Sequence, residues 1–211
     1  VYLISKATMT STRSYTSPVR AAAAAEKRDR VLQVATDVLR ESASATHFSL
    51  DAVAKIAGVT RLTVYNQFGS RRGLLEAVFD SIALQGQLGR LRHVHAQPDP
   101  REGIDLLIRI CCNFWSSDPA VPRIYEAMAS DVEFAQALTE RNERRRQLIG
   151  TLVEKLSTKA TRPQLRRDTV DFIFALTSFA MFRMLAPGRS SDEVGELIRA
   201  SAHAALERLE S

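Results

Sequence analysis

Turn-forming residues and cysteine are scarce in this chain. The 211 residues include nine glycines, seven prolines and two cysteines, and the low turn content favours helices over an all-β fold. No apolar run approaches the roughly 18 residues of a membrane span, so no membrane role is predicted. The N-terminus shows no signal-peptide pattern. Because Cys111 and Cys112 are adjacent, a long-range disulfide is not expected, and we predict a cytoplasmic location.

Motifs of common enzyme classes are also missing. The sequence contains no Gly-x-Ser-x-Gly, no glycine-rich phosphate loop and no His-Glu-x-x-His. We therefore predict no catalytic residue, no metal site and no cofactor. An enzyme therefore stays the weaker functional class.

Positive charge is concentrated near the start of the chain. The net charge is +5, and residues 1–80 hold 11 Lys and Arg against 7 Asp and Glu. The remaining residues are nearly balanced, with 18 against 17. Such a basic end suits nucleic acid, although anionic lipid would also fit.

The first part of the chain has the pattern of a helix-turn-helix. Residues 1–21 are rich in Ser and Thr and are predicted to be a disordered basic arm. Ser49, Thr60 and Ser70 can cap helices, and Gly58 can end one. Helices are predicted at about 22–42, 50–57, 61–68 and 71–88. Residues 22–80 are therefore interpreted as a DNA-binding domain of three packed helices and the start of a fourth.

The second part, residues 81–211, keeps a helical period after a predicted linker at 89–99. Helices are expected at about 100–116, 119–129, 131–157, 163–186 and 191–209. The fold class is therefore all-α, with about nine helices. The stretch 163–186 is apolar nearly all round, which predicts that a second copy of the chain covers it. Arg141 and Arg144–Arg146 alternate with Glu140 and Glu143, the pattern of a solvated helix face.

The helix at 61–68 carries an unusual outward face. On a helical wheel Val64 and Phe68 point inward, together with Val53, Ile56 and Val59 of the preceding segment. Asparagine can pair with adenine, arginine with guanine, and an apolar group can meet a thymine methyl. Hydroxyl groups and Arg71 can hold phosphates. The predicted DNA-binding residues are Ser49, Thr60, Arg61, Leu62, Thr63, Tyr65, Asn66, Gln67 and Arg71.

The segment 48–79, FSLDAVAKIAGVTRLTVYNQFGSRRGLLEAVF, resembles the tetracycline-repressor (TetR) family of bacterial transcription regulators. Matching features are Ala57-Gly58-Val59-Thr60, Thr63-Val64-Tyr65, Phe68, Ser70 and Leu74. The chain departs from the family pattern at Leu62, where Gly is common, and at Arg71, where Lys is common. It also departs at Arg72, where an acid is common, and at Gly73, where a better helix former is common.

This resemblance implies a homodimer that binds double-stranded operator DNA and is released by a small, mainly apolar effector. It also implies that the last two helices form a four-helix interface. Candidate pocket residues are Phe114, Trp115, Tyr125, Met128 and Phe172. Candidate interface residues are Phe172, Ile173, Leu176, Phe179, Ala180 and Met184. An architectural or constitutive DNA-binding dimer without an effector is the alternative, and an enzyme carrying a DNA-binding module is a weaker one.

Overall fold

A computed structural model describes residues 18–42, 48–129 and 132–210, and every regular element in these ranges is helical. The all-α fold class is thereby confirmed. The described part of the chain holds ten α-helices and one 3₁₀-helix, slightly more than the predicted nine. None of the described helices combines the length and apolar character needed to cross a membrane.

Four helices build the N-terminal part: α1 (Pro18–Glu41), α2 (Leu50–Ala57), α3 (Arg61–Phe68) and α4 (Arg71–Gln85). Helix α1 begins four residues before the expected start, so residues 18–21 are helical; the rest of the predicted arm lies outside the described residues. Residues 20–30 of α1 are exposed, and the helix enters the core at Val31. Helices α2, α3 and α4 then pack against its buried half.

The C-terminal part contains α5 (Pro100–Ser116), α6 (Ala120–Ala129), α7 (Val132–Leu156), α8 (Pro163–Leu176), α9 (Phe179–Leu185) and α10 (Ser191–Glu210). Helix α5 is the central element, because it packs against α10, α7 and the 3₁₀-helix formed by Leu88–Ala96. Helix α8 lies between α7 and α10. Both cysteines are buried on α5.

Two predicted boundaries were wrong. The expected linker at 89–99 is mostly a 3₁₀-helix, Leu88–Ala96, which the fully buried Val94 holds to the core. The expected single helix at 163–186 is two helices separated at Thr177 and Ser178. The Ser178 hydroxyl accepts from the backbone N–H of Met181 and so starts α9 as a new helix.

A buried ion pair joins α1 to the segment before α6. The Arg40 guanidinium lies 2.6 Å from an oxygen of Asp118, whose side chain is nearly inaccessible to solvent. Nearby, Arg123 of α6 donates to the carbonyl of Ser42 at the end of α1. Burial alone would raise the pKa of Asp118, but hydrogen bonds from Arg40 and the Ala120 N–H outweigh it and lower the pKa. The pair therefore fixes α1 to the C-terminal part.

We expect Asp118→Asn to lower the free energy of unfolding near neutral pH by about 1.5 kcal/mol, since a charge-assisted hydrogen bond to a buried carboxylate is lost. Because the pKa is lowered in the folded state, this stabilisation is present above the ordinary carboxyl pKa and disappears as the pH falls through the lowered value. Denaturant unfolding across acidic pH checks this. The solvent-exposed pair of Glu196 and Arg199 provides the control, and Glu196→Gln should leave stability nearly unchanged. Equal effects of the two variants would contradict the assignment.

Candidate nucleic-acid interface and the adjoining cavity

The turn between α2 and α3 is set by local hydrogen bonds. Gly58 ends α2 in the left-handed region, at φ 66° and ψ 35°, where its N–H bonds to carbonyls of the last turn of α2. Two residues later the Thr60 hydroxyl accepts from the Thr63 N–H at 3.1 Å and caps α3. Ser49 caps α2 in the same way, accepting from the N–H of Ala52. Helix α2, this short turn and α3 form a helix-turn-helix, as the sequence predicted.

Helix α3 is anchored by two residues and presents most of the others to solvent. Val64 is fully buried and Phe68 nearly so, while Leu62 is 65% exposed and Tyr65 is 55% exposed. Asn66, another of the predicted DNA-binding residues, is exposed as well and therefore lies on the outward face of α3. An apolar group, a phenol and an amide therefore stand together on one short helix. This combination suits contact with base edges in a major groove.

The other candidate DNA contacts are placed less simply. Arg61 is exposed and lies 3.4 Å from Asp51 at the start of α2, a surface pair that contributes little stability. The Thr63 hydroxyl is 2.9 Å from that of Thr60. Gln67 is half-buried, and its side-chain oxygen is enclosed by protein. Their contacts with DNA remain predictions.

Arg71 has a structural contact in addition to its predicted role. Its Nε donates to the carbonyl of Phe48 at 2.9 Å, and its guanidinium lies 5.9 Å from the Phe48 ring centroid. It thus ties the start of α4 to the residue before the Ser49 cap. Sequence reasoning placed Ile56 inward, but it is 60% exposed, because the buried stripe of α2 is Leu50, Val53, Ala54 and Ala57.

A contact that sequence reasoning missed supports α3 from the side of α1. The Arg28 guanidinium lies 4.3 Å from the centroid of the Phe68 ring and donates to the Gln67 carbonyl at 2.7 Å. A cation near the last carbonyls of a helix is favourable because the helix dipole is negative there. The spacing of 39 residues between donor and acceptor leaves no local sequence signal for this pair.

The turn from α3 to α4 requires glycine at position 73. Ser70 caps α4 by accepting from the Gly73 N–H at 3.0 Å. A Cβ at position 73 would lie 2.0 Å from the Phe68 carbonyl oxygen, much closer than real Cβ contacts. Gly73, which departs from the family pattern toward a poorer helix former, therefore permits the close approach of α3 and α4.

We expect Gly73→Ala to destabilise the protein by about 1–2 kcal/mol and to weaken DNA binding, because the turn must shift and α3 shifts with it. Gly150→Ala is the matched control, since Gly150 lies within α7 and a Cβ there meets no atom within 4 Å. That control should stabilise the protein by about 0.5–1 kcal/mol through helix propensity. Denaturant unfolding of both variants provides the comparison. A stabilising effect at position 73 would disprove the steric argument.

A cavity of about 590 Å³ lies among α4, the 3₁₀-helix, α5, α6 and α7. Trp115 and Tyr125, two of the candidate pocket residues, line it. The centroids of these two rings are 5.7 Å apart, and Phe179 stacks on Tyr125 at 4.4 Å. Burial raises the pKa of Tyr125 to about 12, so its hydroxyl is neutral at physiological pH. The volume falls within the range typical of small-molecule sites.

Other predicted pocket residues are placed elsewhere. Phe114 does not line the cavity; it packs behind Trp115, with ring centroids 4.8 Å apart. Phe172 is 44% exposed and lines a shallow groove between α8 and α10. Met128 belongs to α6, but its side chain lies outside the described residues. Of the predicted pocket residues with described side chains, Trp115 and Tyr125 therefore line this cavity, whereas Phe114 and Phe172 do not.

The arginine-rich face of α7 was also misassigned. It was expected to be solvated, but Arg145 is only 7% exposed, and Arg141 and Arg144 line the cavity beside it. Position 145 lies seven residues after the buried Leu138 and seven before the buried Leu152. This heptad spacing puts an arginine on the apolar stripe of α7, and it is the sequence signal that could have identified it.

The predicted dimer residues divide into two groups. Ile173, Leu176 and Phe179 are buried within the single chain, because the break at Thr177 turns α9 back toward α5. They are therefore not available to a second copy, which corrects the sequence assignment. Ala180 is exposed, Met184 is 68% exposed and Phe172 is 44% exposed. Of the predicted interface residues, only the exposed group is accessible to a second copy.

Comparison with known proteins identifies a family match in the N-terminal part of the chain. Residues 43–78 match the family model "Bacterial regulatory proteins, tetR family". This match confirms the resemblance drawn from the sequence.

Two relatives of known name align over part of the chain. The nucleoid occlusion factor SlmA of Vibrio atlanticus is 26% identical over 135 residues, covering 63% of this chain and 64% of that protein. The HTH-type transcriptional regulator EthR of Mycolicibacterium smegmatis is 30% identical over 113 residues, covering 53% and 52%. The chain therefore matches less than two thirds of the length of either relative.

The fold is shared over nearly the whole chain. NalD of Pseudomonas aeruginosa, described as the secondary repressor of the MexAB-OprM multidrug efflux pump, superposes with a TM-score of 0.64. The match covers 87% of this chain and 96% of NalD, at 20% sequence identity. At this low sequence identity, the superposition shows that the two proteins share a fold and nothing further.

Proposed function

We propose that this protein, whose residues 43–78 match the tetR family of regulatory proteins, is a DNA-binding transcriptional regulator that acts in the cytoplasm on a near-palindromic operator. The observation that carries the proposal is the outward face of α3, where Leu62 and Tyr65 are exposed beside Asn66. Capped ends and two buried anchors hold this face rigidly. Sequence-specific readout requires such a rigid helix with base-compatible side chains.

The regulator is proposed to act as a homodimer through α8 and α10. Their shared groove is lined by Phe172, Thr169 and the small residues Ser201, Ala204 and Ala205. Leu197 on α10 is also exposed, at 43%. Small residues let another helix approach closely, and the exposed apolar side chains would be buried by it. Two such pairs related by two-fold symmetry make a four-helix interface.

Release from DNA by a small molecule is the proposed regulation. Helix α4 begins at the Ser70 cap beside α3, and its other half contributes Phe79, Asp80, Ala83 and Leu84 to the cavity. A ligand that favours one position of α4 would change the placement of α3 in both protomers. Coupling of about 1–3 kcal/mol, or 5- to 150-fold in affinity, suffices for a switch, and bound DNA must weaken the ligand equally.

A second candidate is DNA binding without transcriptional control, favoured by the similarity to a protein named as a nucleoid occlusion factor. Both candidates need the same α3 face. They differ in whether occupation of the cavity changes the affinity for DNA.

The test is selection of binding sites from random double-stranded DNA, followed by titration of the selected site and a scrambled duplex at fixed salt. We expect an inverted repeat whose half-sites are separated by about one helical turn or a small multiple of it. The selected site should bind more tightly than the scrambled one, and both affinities should fall as salt rises. Equal affinity for the two duplexes would remove the proposal.

A further inference from the structure

Arg145 is a buried cation that forms no ion pair with any carboxylate of the described residues. It projects from α7 between Trp115 and Phe174, with its guanidinium carbon 5.9 Å and 4.8 Å from their ring centroids. One of its terminal nitrogens donates to the Thr177 carbonyl at 3.0 Å. Its Nε is enclosed and has no hydrogen-bond partner among the described residues. The side chain as a whole also lines the cavity.

The break between α8 and α9 explains how Arg145 is held. The Thr177 carbonyl, which α8 does not use, accepts from both Arg145 and the indole nitrogen of Trp115, each at 3.0 Å. The carbonyl, the Cys111 thiol and two aromatic faces stabilise the guanidinium partly, but none of them carries a negative charge that neutralises it. Burial of a charge is costly unless an opposite charge accompanies it. The arrangement is therefore electrostatically incomplete.

The remaining charge of the cavity has the same sign. Arg92, Arg141 and Arg144 line it with Arg145, while Asp80 is the one carboxylate among the described residues of the lining. Asp80 is already paired with Arg141, at 2.9 Å. The cavity therefore has a strong positive excess that would attract an anion and strengthen its binding.

The rest of the lining is apolar. Leu88 and Leu91 of the 3₁₀-helix, Leu138 and Leu148 of α7, and Phe79 of α4 form most of the surface. An inorganic anion would leave this surface without contact, and an uncharged hydrocarbon would leave the guanidinium without a counter-ion. A ligand with both an apolar body and an anionic group satisfies both parts.

We propose that the cavity takes an amphipathic carboxylate, with the carboxylate beside Arg145 and the apolar body against the leucines and Phe79. A guanidinium and a carboxylate share a planar, forked geometry that allows charge-assisted hydrogen bonds. This inference rests on the proposed function in naming the chemical class of its effector. It also narrows the mainly apolar effector expected from the sequence to one with a negative charge.

The experiment compares matched probes that differ in charge, using the full-length protein without DNA. Decanoate is compared with decanol, and para-butylbenzoate with para-butylbenzamide, by calorimetry and by the fluorescence of Trp115, the single tryptophan. We expect each carboxylate to bind about 10- to 100-fold more tightly than its neutral partner. Neutral probes that bind as tightly as the carboxylates would overturn the proposal.

Variants assign the preference to one side chain. Arg145→Gln should remove most of the preference for carboxylates, whereas Arg146→Gln should keep it. Arg146 is the adjacent residue of the same helix, pairs with Asp171 and does not line the cavity. Arg145→Lys keeps the positive charge but lacks the forked guanidinium, so it should retain part of the preference for carboxylates. This variant supplies the measurement if the Arg145→Gln protein does not unfold cooperatively. A preference that survives unchanged in both Arg145 variants would also overturn the proposal.

The outcomes separate this inference from the function it deepens. If the protein binds a specific operator but shows no preference for carboxylates, the proposed ligand class is wrong and the proposed function as a regulator stands. If the protein prefers carboxylates through Arg145 but binds no specific operator, the anion site stands and the proposed function as a regulator is wrong.

Discussion

Phe172→Asp is expected to convert the protein from dimer to monomer. Phe172 is 44% exposed on α8, so its replacement leaves the packing of the chain nearly intact while it places a charge in the proposed α8–α10 interface. A buried charge without a partner disfavours association strongly. Because a dimer links two half-site contacts, its loss should reduce affinity for the full palindrome by about 10²- to 10⁴-fold. Sedimentation velocity and operator titration measure the two effects.

Val132→Asp is the matched control, because Val132 is 86% exposed at the start of α7, away from α8 and α10. It should remain dimeric and bind the operator normally. Phe179→Asp serves a different purpose: Phe179 packs on Tyr125 and Trp115 beside the cavity, so its replacement should lower the melting temperature. A Phe172→Asp protein that still sediments as a dimer would place the interface elsewhere.

The N-terminal elements could be predicted because their signals are local. Ser49, Thr60 and Ser70 cap helices within three residues of themselves, and Gly58 adopts a left-handed conformation at the end of α2. Such signals act over one helical turn, so the sequence predicts them directly. The ends of α2 and α3 were therefore predicted as the structure has them.

The C-terminal part was harder to predict because its decisive contacts join distant residues. The break at Thr177 is stabilised by donors from Trp115 and Arg145, which are 62 and 32 residues away in sequence. Periodicity alone therefore merged α8 and α9 into one helix. It likewise gave Phe172 and Phe179 the same role, although one is half-exposed and the other is buried.

Arg145 illustrates the same limit for charge patterns. Alternating Arg and Glu usually mark a solvated face, and the five other charged positions of this pattern conform to that expectation in being exposed or partly exposed. Position 145 differs because α5, α8 and α9 converge on that side of α7 and enclose it. The sequence signal for its burial was its position on the hydrophobic stripe of α7. The surrounding run of Arg and Glu concealed that signal.

Asn66→Ala should lower affinity for the selected operator by about 5- to 150-fold, equivalent to about 1–3 kcal/mol, and relax the preference at one base pair of each half-site. Asn66 is exposed on α3, and an asparagine amide can pair with adenine through two hydrogen bonds. Alanine leaves the base edge without a partner and preserves the helix, because alanine is the strongest helix former. Repeating the site selection with the variant identifies the base pair.

Tyr65→Phe supplies the contrast, because it removes one hydroxyl from the same exposed face of α3. A hydroxyl that contacts phosphate positions the protein without reading sequence, so this variant should weaken the selected and scrambled duplexes by the same factor. The two variants therefore separate base readout from backbone positioning on a single helix. If Asn66→Ala binds every sequence with the wild-type order of preference, Asn66 does not read bases and the docking of α3 must be rotated about its axis.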